Sequence, residues 1–257
     1  MLAVAAIHLH VSQPDPGDYR RLAQDHHSQA LAYFRAALSS PSAGNEALAL
    51  FACSALMSTY YFAAFDDPSC LLFSSDSLML PEWMLPVRGC AAVLCQFRDQ
   101  LGKTDMEDLL KAYSRFWTDT PLHREECVWD SPLSTLQLRL RALVGHNSHA
   151  LHEPALQLLR RCFVLSDQNP GLSSKAVAAM TFPSIVSVDF LEAVSKQKSP
   201  AALAIMAFWC VLLSKVEDKY WLREENVPRV ILRVIISHVE DEYLDLIDWP
   251  LEVLGFK

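Results

Sequence analysis

Between Ser199 and Trp221 the chain reads SPAALAIMAFWCVLLSKVEDKYW. Ser199 suits a helix N-cap, and Pro200 suits the first helical position, where a missing N–H is harmless. From Ala201 to Leu213 no residue carries a charge, and Lys215, Glu217, Asp218 and Lys219 then return the chain to water. A helix that is apolar on every side must be buried on every side. The fold around it must therefore be helical and thick enough to enclose it. Met206, Phe208 and Trp209 alternate with Ala201, Ala202, Ala204 and Ala207. Such a mixture of large and small residues either packs densely or walls a hollow.

The rest of the chain is consistent with that enclosure. Its 257 residues are 51% hydrophobic and include only 7 glycines, enough apolar material for one large helical domain with few turns. The net charge of −8 argues against a nucleic-acid surface, which needs clustered Lys and Arg. Arg139, Arg141, Arg160 and Arg161 form the densest basic group, and they fall on two separate helices. The acidic run Glu240-Asp241-Glu242 reads as a solvated helix end. Cysteines at 53, 70, 90, 95, 127, 162 and 210 show no metal-binding spacing, and an odd number without a signal peptide points to the cytoplasm or nucleus. Ala47 to Phe65 carries no charge, but Ser54, Ser58, Thr59, Tyr60 and Tyr61 interrupt it and acidic residues flank it. It reads as a buried helix rather than a membrane span.

Along the chain, helix signals are expected at 1–11, 18–38, 46–65 and 82–101. Thr104 and Glu107 frame a capping box opening a helix over 105–117. A loop over 121–130 leads to a helix begun by Ser131-Pro132 and ended by Gly145. Pro154 is expected to open a helix over 154–165. Segments 173–180 and 187–196 are read as short helices separated by Phe182-Pro183, and a last long helix reaches about Glu240. Met1 to Val11 has the character of a helix interior with no polar lead-in, from which upstream residues are expected. No alternating strand pattern of useful length occurs. The expected fold is all-α: a single multi-helix bundle over 1–257 around a buried central helix, with an apolar pocket.

The elements AAIHLH (5–10), HHSQALAYFRAAL (26–38), ALALFACSALMSTYYFA (47–63), EWMLPVRG (82–89), PAALAIMAFWCVLLSK (200–215), YWL (220–222) and IDWP (247–250) follow one another in an order that resembles a known family. Together they are similar to the carboxy-terminal regulatory domain of fungal zinc-cluster transcription factors of the sterol-uptake-control type. The resemblance covers nearly the whole chain. It implies a helical bundle enclosing a sterol in a deep apolar pocket, with ligand loss releasing the factor to the nucleus. The chain departs from that family in lacking the six-cysteine DNA-binding cluster, so no direct nucleic-acid binding is expected of it. It departs again where Leu222-Arg223-Glu224-Glu225-Asn226 replaces a glycine-containing turn. The ligand-binding residues implied are Met206, Phe208, Trp209, Tyr220 and Trp221. A sterol-sized ligand burying on the order of 500 Å² would gain roughly 12 kcal/mol gross, against about 4–15 kcal/mol for immobilisation. The partner expected is thus a hydrophobic small molecule (sterol, terpenoid or polyketide), with no cofactor. A homodimer is compatible with this arrangement.

The alternative is an enzyme of secondary metabolism, a cyclase or isomerase acting on a polyketide or terpenoid in the same pocket through positioning. His8, His238, Glu82 and Asp130 are its candidate acid–base groups. Arg88, in an apolar helix, reads as a structural residue, either a cap on the carbonyl end of a neighbouring helix or the partner of a carboxylate from the acidic face. Asp66-Asp67 lacks the further carboxylate one turn on that a magnesium–diphosphate helix needs, because Pro68 follows and Cys70 occupies the fifth position. His146, His149 and His152 recur every three residues but lie between Gly145 and Pro154, so they read as a loop or a ragged helix start rather than a zinc site. No phosphate-binding loop, nucleophile elbow or Cys/His dyad is present at recognisable spacing.

Overall fold

The computed structural model describes residues 1–13, 17–40, 46–74, 80–107, 110–111, 127–143, 146–168, 172–216 and 226–257. For 146–149, 168 and 172–174 only the backbone is considered. The fold is all-α, with no strand among the described residues. Its helices are α1 (Leu2–Ser12), α2 (Tyr19–Leu38), α3 (Ala47–Ala64), α4 (Met84–Gln96), α5 (Arg98–Leu101), α6 (Asp130–Leu143), α7 (His146–Gln168), α8 (Leu172–Ile185), α9 (Val188–Ser195), α10 (Pro200–Leu213), α11 (Val227–Ile236) and α12 (Asp248–Val253). Short 3-10 turns cover Pro68–Leu71 and Asp241–Ile247.

Helix α10 begins at Pro200 with Ser199 in the N-cap position, although the serine side chain makes no capping hydrogen bond. Every residue from Ala201 to Leu213 is buried. The helix packs against α7, α8, α9, α11, α12 and the Asp241–Ile247 turn, so its apolar surface is covered on all sides. Small alanines let these neighbours approach while Phe208 and Trp209 fill the space between them. Phe208 packs against Trp249 at 5.1 Å between ring centroids, and Trp209 lies parallel to Trp83 at 5.7 Å. A second core joins α2, α3, α4 and α5 through Leu50, Val93, Phe97 and Leu101. A third, of Ala3, Ala6, Ile7, Ala23, Tyr60 and Ala63, seats α1 on α2 and α3.

Helix α3 is long and apolar enough to cross a membrane by length and composition alone. Its hydroxyls are satisfied within the helix: Ser54 Oγ donates to Leu50 O at 3.0 Å and Ser58 Oγ to Ser54 O at 3.0 Å. Its buried face packs on α1, α2 and α4, as a bundle helix does.

Several boundaries differ from those read in the sequence, each for a local physical reason. Helix α7 runs through Pro154, where the expected helix start was placed. Likewise α8 continues through Pro183 to Ile185 instead of breaking at Phe182-Pro183. Proline removes an N–H and crowds the preceding turn, and the Ala179 carbonyl that loses its donor to Pro183 accepts instead from Trp209 Nε1 at 2.8 Å. Arg88 Nη1 donates to Pro183 O at 3.3 Å and to Val186 O at 2.9 Å, so Arg88 caps the carbonyl end of α8. The Thr104–Glu107 capping box does not form. Thr104 Oγ1 accepts from Met106 N and donates to Leu101 O, while Glu107 pairs with Lys111. The last long helix is confined to Val227–Ile236, opened by Asn226, whose side chain accepts from Arg229 N. Segments 112–126 and 217–225, which hold residues 121–126 of the expected 121–130 loop and the acidic end of the 199–221 block, fall outside the described residues.

Candidate functional site

A cleft of about 530 Å³ lies between α2, α3 and residues 65–74 and 80–83 that follow α3. Helix α2 contributes Arg20, Gln24 and His27, which recur on one face at helical spacing. Tyr60, Tyr61 and Ala64 come from the last turn of α3, and Phe65, Asp66, Asp67, Cys70, Phe73, Glu82 and Trp83 come from the following segment. Each of these segments has a reason to be where it is. Ala23 on α2 is fully buried and lets the helix sit close to α3. Asp67 caps the Pro68–Leu71 turn by accepting from Ser69 N at 2.9 Å. Trp83 is buried against Phe62 at 4.7 Å and donates from Nε1 to Leu71 O at 2.9 Å.

His27 is the organising group. Its ring stacks on Tyr60 with centroids 4.2 Å apart and planes within 7°, and its Nε2 lies 3.2 Å from the Tyr61 hydroxyl. Partial burial holds the imidazole below its ordinary pKa, so it is neutral near pH 7. Burial first, and then the charge of Glu82, keeps the Tyr61 phenol protonated. Arg20 forms a two-pronged ion pair with Asp66. Among the carboxylates, Asp67 is held ionised by its bonds to the hydroxyl and N–H of Ser69. The Cys70 thiol is pushed up to about 11, chiefly by partial burial and then by Asp67, Glu82 and Asp66. The cleft therefore joins an aromatic wall to a neutral His–Tyr pair and an acidic rim.

Two smaller hollows flank it. One, of about 280 Å³, shares Arg20, Ala64, Phe65 and Asp66 with the cleft and adds Ile7 and His10 of α1. The other is an apolar slot of about 140 Å³ between α3, α4 and α8, with Phe51, Cys90, Leu94 and Met180 among its lining residues. Thr181 and Ser184 of that slot donate to carbonyls of their own helix, Val177 O and Thr181 O.

The residues that the sequence pointed to are distributed differently. Met206, Phe208 and Trp209 lie in the packed interior of α10 and line none of these three hollows. Trp209 stands one layer behind the cleft, against Trp83. Tyr220 and Trp221 lie outside the described residues. Of the candidate acid–base groups, only Glu82 reaches the cleft. Asp130 is buried in an ion pair with Arg160. His238 Nδ1 lies 2.9 Å from Val234 O, and its ring packs on Phe73. His8 is exposed on α1. The side chains of His146 and His149 are outside the described set, and His152 is buried beside Phe190. No group of three or more His, Cys, Asp or Glu placed to hold a metal occurs among the described residues.

Sequence reasoning missed His27, Tyr61 and Arg20. The signal available was the Arg20–Gln24–His27 stripe on α2 and the paired tyrosines at the end of α3, but nothing in either stripe says that the two meet. Compared with known proteins, the chain matches no family model, no curated protein and no solved structure.

Proposed function

We propose that this protein binds a lipophilic small molecule, of sterol, terpenoid or polyketide size, in the cleft between α2, α3 and residues 65–74 and 80–83. The volume of about 530 Å³ carries this reading, because drug-sized and lipid-sized ligands occupy roughly 300–1,000 Å³. The apolar slot of about 140 Å³ is of a size for a single benzene-like ring. Tyr60, Tyr61, Phe65, Phe73 and Trp83 supply aromatic surface, and the His27–Tyr61 pair supplies a polar anchor for a hydroxyl or carbonyl. The resemblance to zinc-cluster regulatory domains implies that occupancy is a regulatory signal, read in the cytoplasm or nucleus. The chain itself does not read DNA, in keeping with its net charge of −8.

A fluorescent sterol titrated into the full chain tests the reading. Saturable energy transfer from tryptophan is expected, with a rise in melting temperature that corresponds to about 2.7 kcal/mol at a hundredfold excess over Kd. Ala64→Trp, which fills the cleft, should abolish both effects while the protein remains helical. No transfer and no thermal shift at saturating probe would exclude sterol binding here.

A further inference from the structure

Three carboxylates edge the cleft, and two of them are already committed. Asp66 is held by Arg20, and Asp67 by the N–H and hydroxyl of Ser69. The Glu82 side chain makes no hydrogen bond or ion pair among the described residues, and it lines the same cleft as Tyr60 and Tyr61. Tyr61 is held on its other side by His27, whose ring plane is fixed by stacking on Tyr60. With the His27 proton on Nε2, the imidazole donates to the Tyr61 oxygen. The phenolic proton is then free to point at a bound molecule, and it becomes a better donor through cooperative polarisation. A free carboxylate and a supported neutral phenol in one aromatic cleft are the two groups that proton transfer next to a carbonyl requires.

We propose that the cleft isomerises an enolisable ketone, moving the double bond of a β,γ-unsaturated cyclic ketone into conjugation. This rests on the lipophile-binding reading of the same cleft and adds chemistry to it. Glu82 is the base: its carboxylate takes a proton from the carbon between the carbonyl and the alkene. The C–H electron pair enters a dienolate whose oxygen is held by the Tyr61 O–H. Glu82 then returns the same proton to the γ-carbon. One C–H bond breaks, one forms, and nothing is oxidised or reduced, so no co-reactant is needed. Glu82 and Tyr61 are the catalytic residues, and His27 is a positioning residue acting through Tyr61. The substrate class is a polyketide or terpenoid ring ketone. The aromatic wall binds its skeleton, and the bound skeleton displaces the water that would compete for the enolate oxygen.

The test incubates the full chain with a bicyclic β,γ-unsaturated ketone and follows the ultraviolet absorbance of the conjugated product. Binding of that product is measured in parallel by tryptophan quenching. Turnover above buffer is expected. Tyr61→Phe should lower kcat by about 10²–10³-fold with little change in KM, the usual effect of losing one oxyanion donor. Glu82→Gln should remove turnover but leave product binding intact. His27→Phe, which keeps the ring stack, should lower kcat, and His27→Gln, which restores a donor, should recover part of it. Binding without turnover would overturn the isomerase proposal and leave the lipophile cleft standing. Neither binding nor turnover would overturn both. Wild-type rates in Tyr61→Phe or Glu82→Gln would show that any activity arises elsewhere.

Discussion

The indole N–H of Trp209 donates to the carbonyl oxygen of Ala179 at 2.8 Å, and that oxygen is the acceptor which Pro183 cannot serve. In a regular helix the N–H of residue 183 would bond the carbonyl of residue 179. Proline has no N–H, so a buried helix continuing through Pro183 would leave the Ala179 carbonyl unsatisfied. Trp209 supplies the missing donor from α10, while Arg88 caps the carbonyls of Pro183 and Val186 at the end of the helix. The two contacts tie α8 to the buried α10 helix and to α4.

A double-mutant cycle reads this out. Trp209→Phe should destabilise the protein by about 1–3 kcal/mol for the stranded carbonyl, measured by urea unfolding. In a Pro183→Ala background the new amide can serve Ala179, and the penalty should shrink by a coupling of about 0.5–3 kcal/mol. Equal penalties in both backgrounds would mean that Trp209 contributes packing alone.

The Asp130–Arg160 pair joins α6 to α7 in the interior, with side chains only 10% and 3% exposed. Burial lowers the guanidinium pKa, a sign of how much solvation the charge has given up. Arg160→Leu strands the carboxylate and is expected to cost about 3–5 kcal/mol, whereas the double change Asp130→Leu with Arg160→Leu should restore most of it. Thermal unfolding of the three variants decides this. A double variant as unstable as the single one would show that the pair is held for its further hydrogen bonds, such as that to Ser134.

How far the sequence reveals this molecule depends on the range of the interaction. Helix α10 is legible because its signal is local: a proline at the first position and an unbroken uncharged run. Arg88 is legible only in part: an arginine in an apolar helix needs acceptors, but the sequence does not choose between a helix end and a carboxylate. The helices through Pro154 and Pro183 are not legible, since breaking is a local property and the donor that replaces the Pro183 N–H comes from residue 209. Trp209 itself is conspicuous in sequence for its size, but size cannot say whether a ring faces a hollow or, as here, stands behind the wall that does. The cleft is the least legible feature. His27 and Tyr61 are separated by a turn and a helix, and only the close seating of α2 on α3 around Ala23 brings their polar atoms to 3.2 Å.

Cys70 offers a chemical check on the electrostatics of the cleft. The thiolate is the reactive form, and a thiol held at about 11 is ionised to only about one part in a thousand at pH 8. Cys70 should therefore alkylate at least tenfold more slowly than a free cysteine at the same pH, as read by peptide mass spectrometry. Asp67→Asn combined with Glu82→Gln removes two of the charges that oppose ionisation and should speed Cys70 alone. An unchanged rate would mean that burial by itself sets the thiol.

His27 should make the fold acid-sensitive in a defined direction. In the unfolded chain its imidazole titrates near 6.5, and in the folded protein burial holds it lower. As pH falls, the unfolded state therefore takes up the proton first. The contribution of His27 to stability is whole above about pH 6.5 and is lost as pH drops toward the folded-state value. Above that window both states are neutral and pH has no effect through this residue. His27→Phe keeps the stack on Tyr60 but cannot titrate, so its melting temperature should fall less than that of the wild type between about pH 7.5 and pH 5.5. A ligand that covers the cleft without accepting from the imidazole should widen the difference, because it takes further water from a group that is already under-solvated. Parallel melting curves across that range would place the proton-linked loss of stability on groups other than His27.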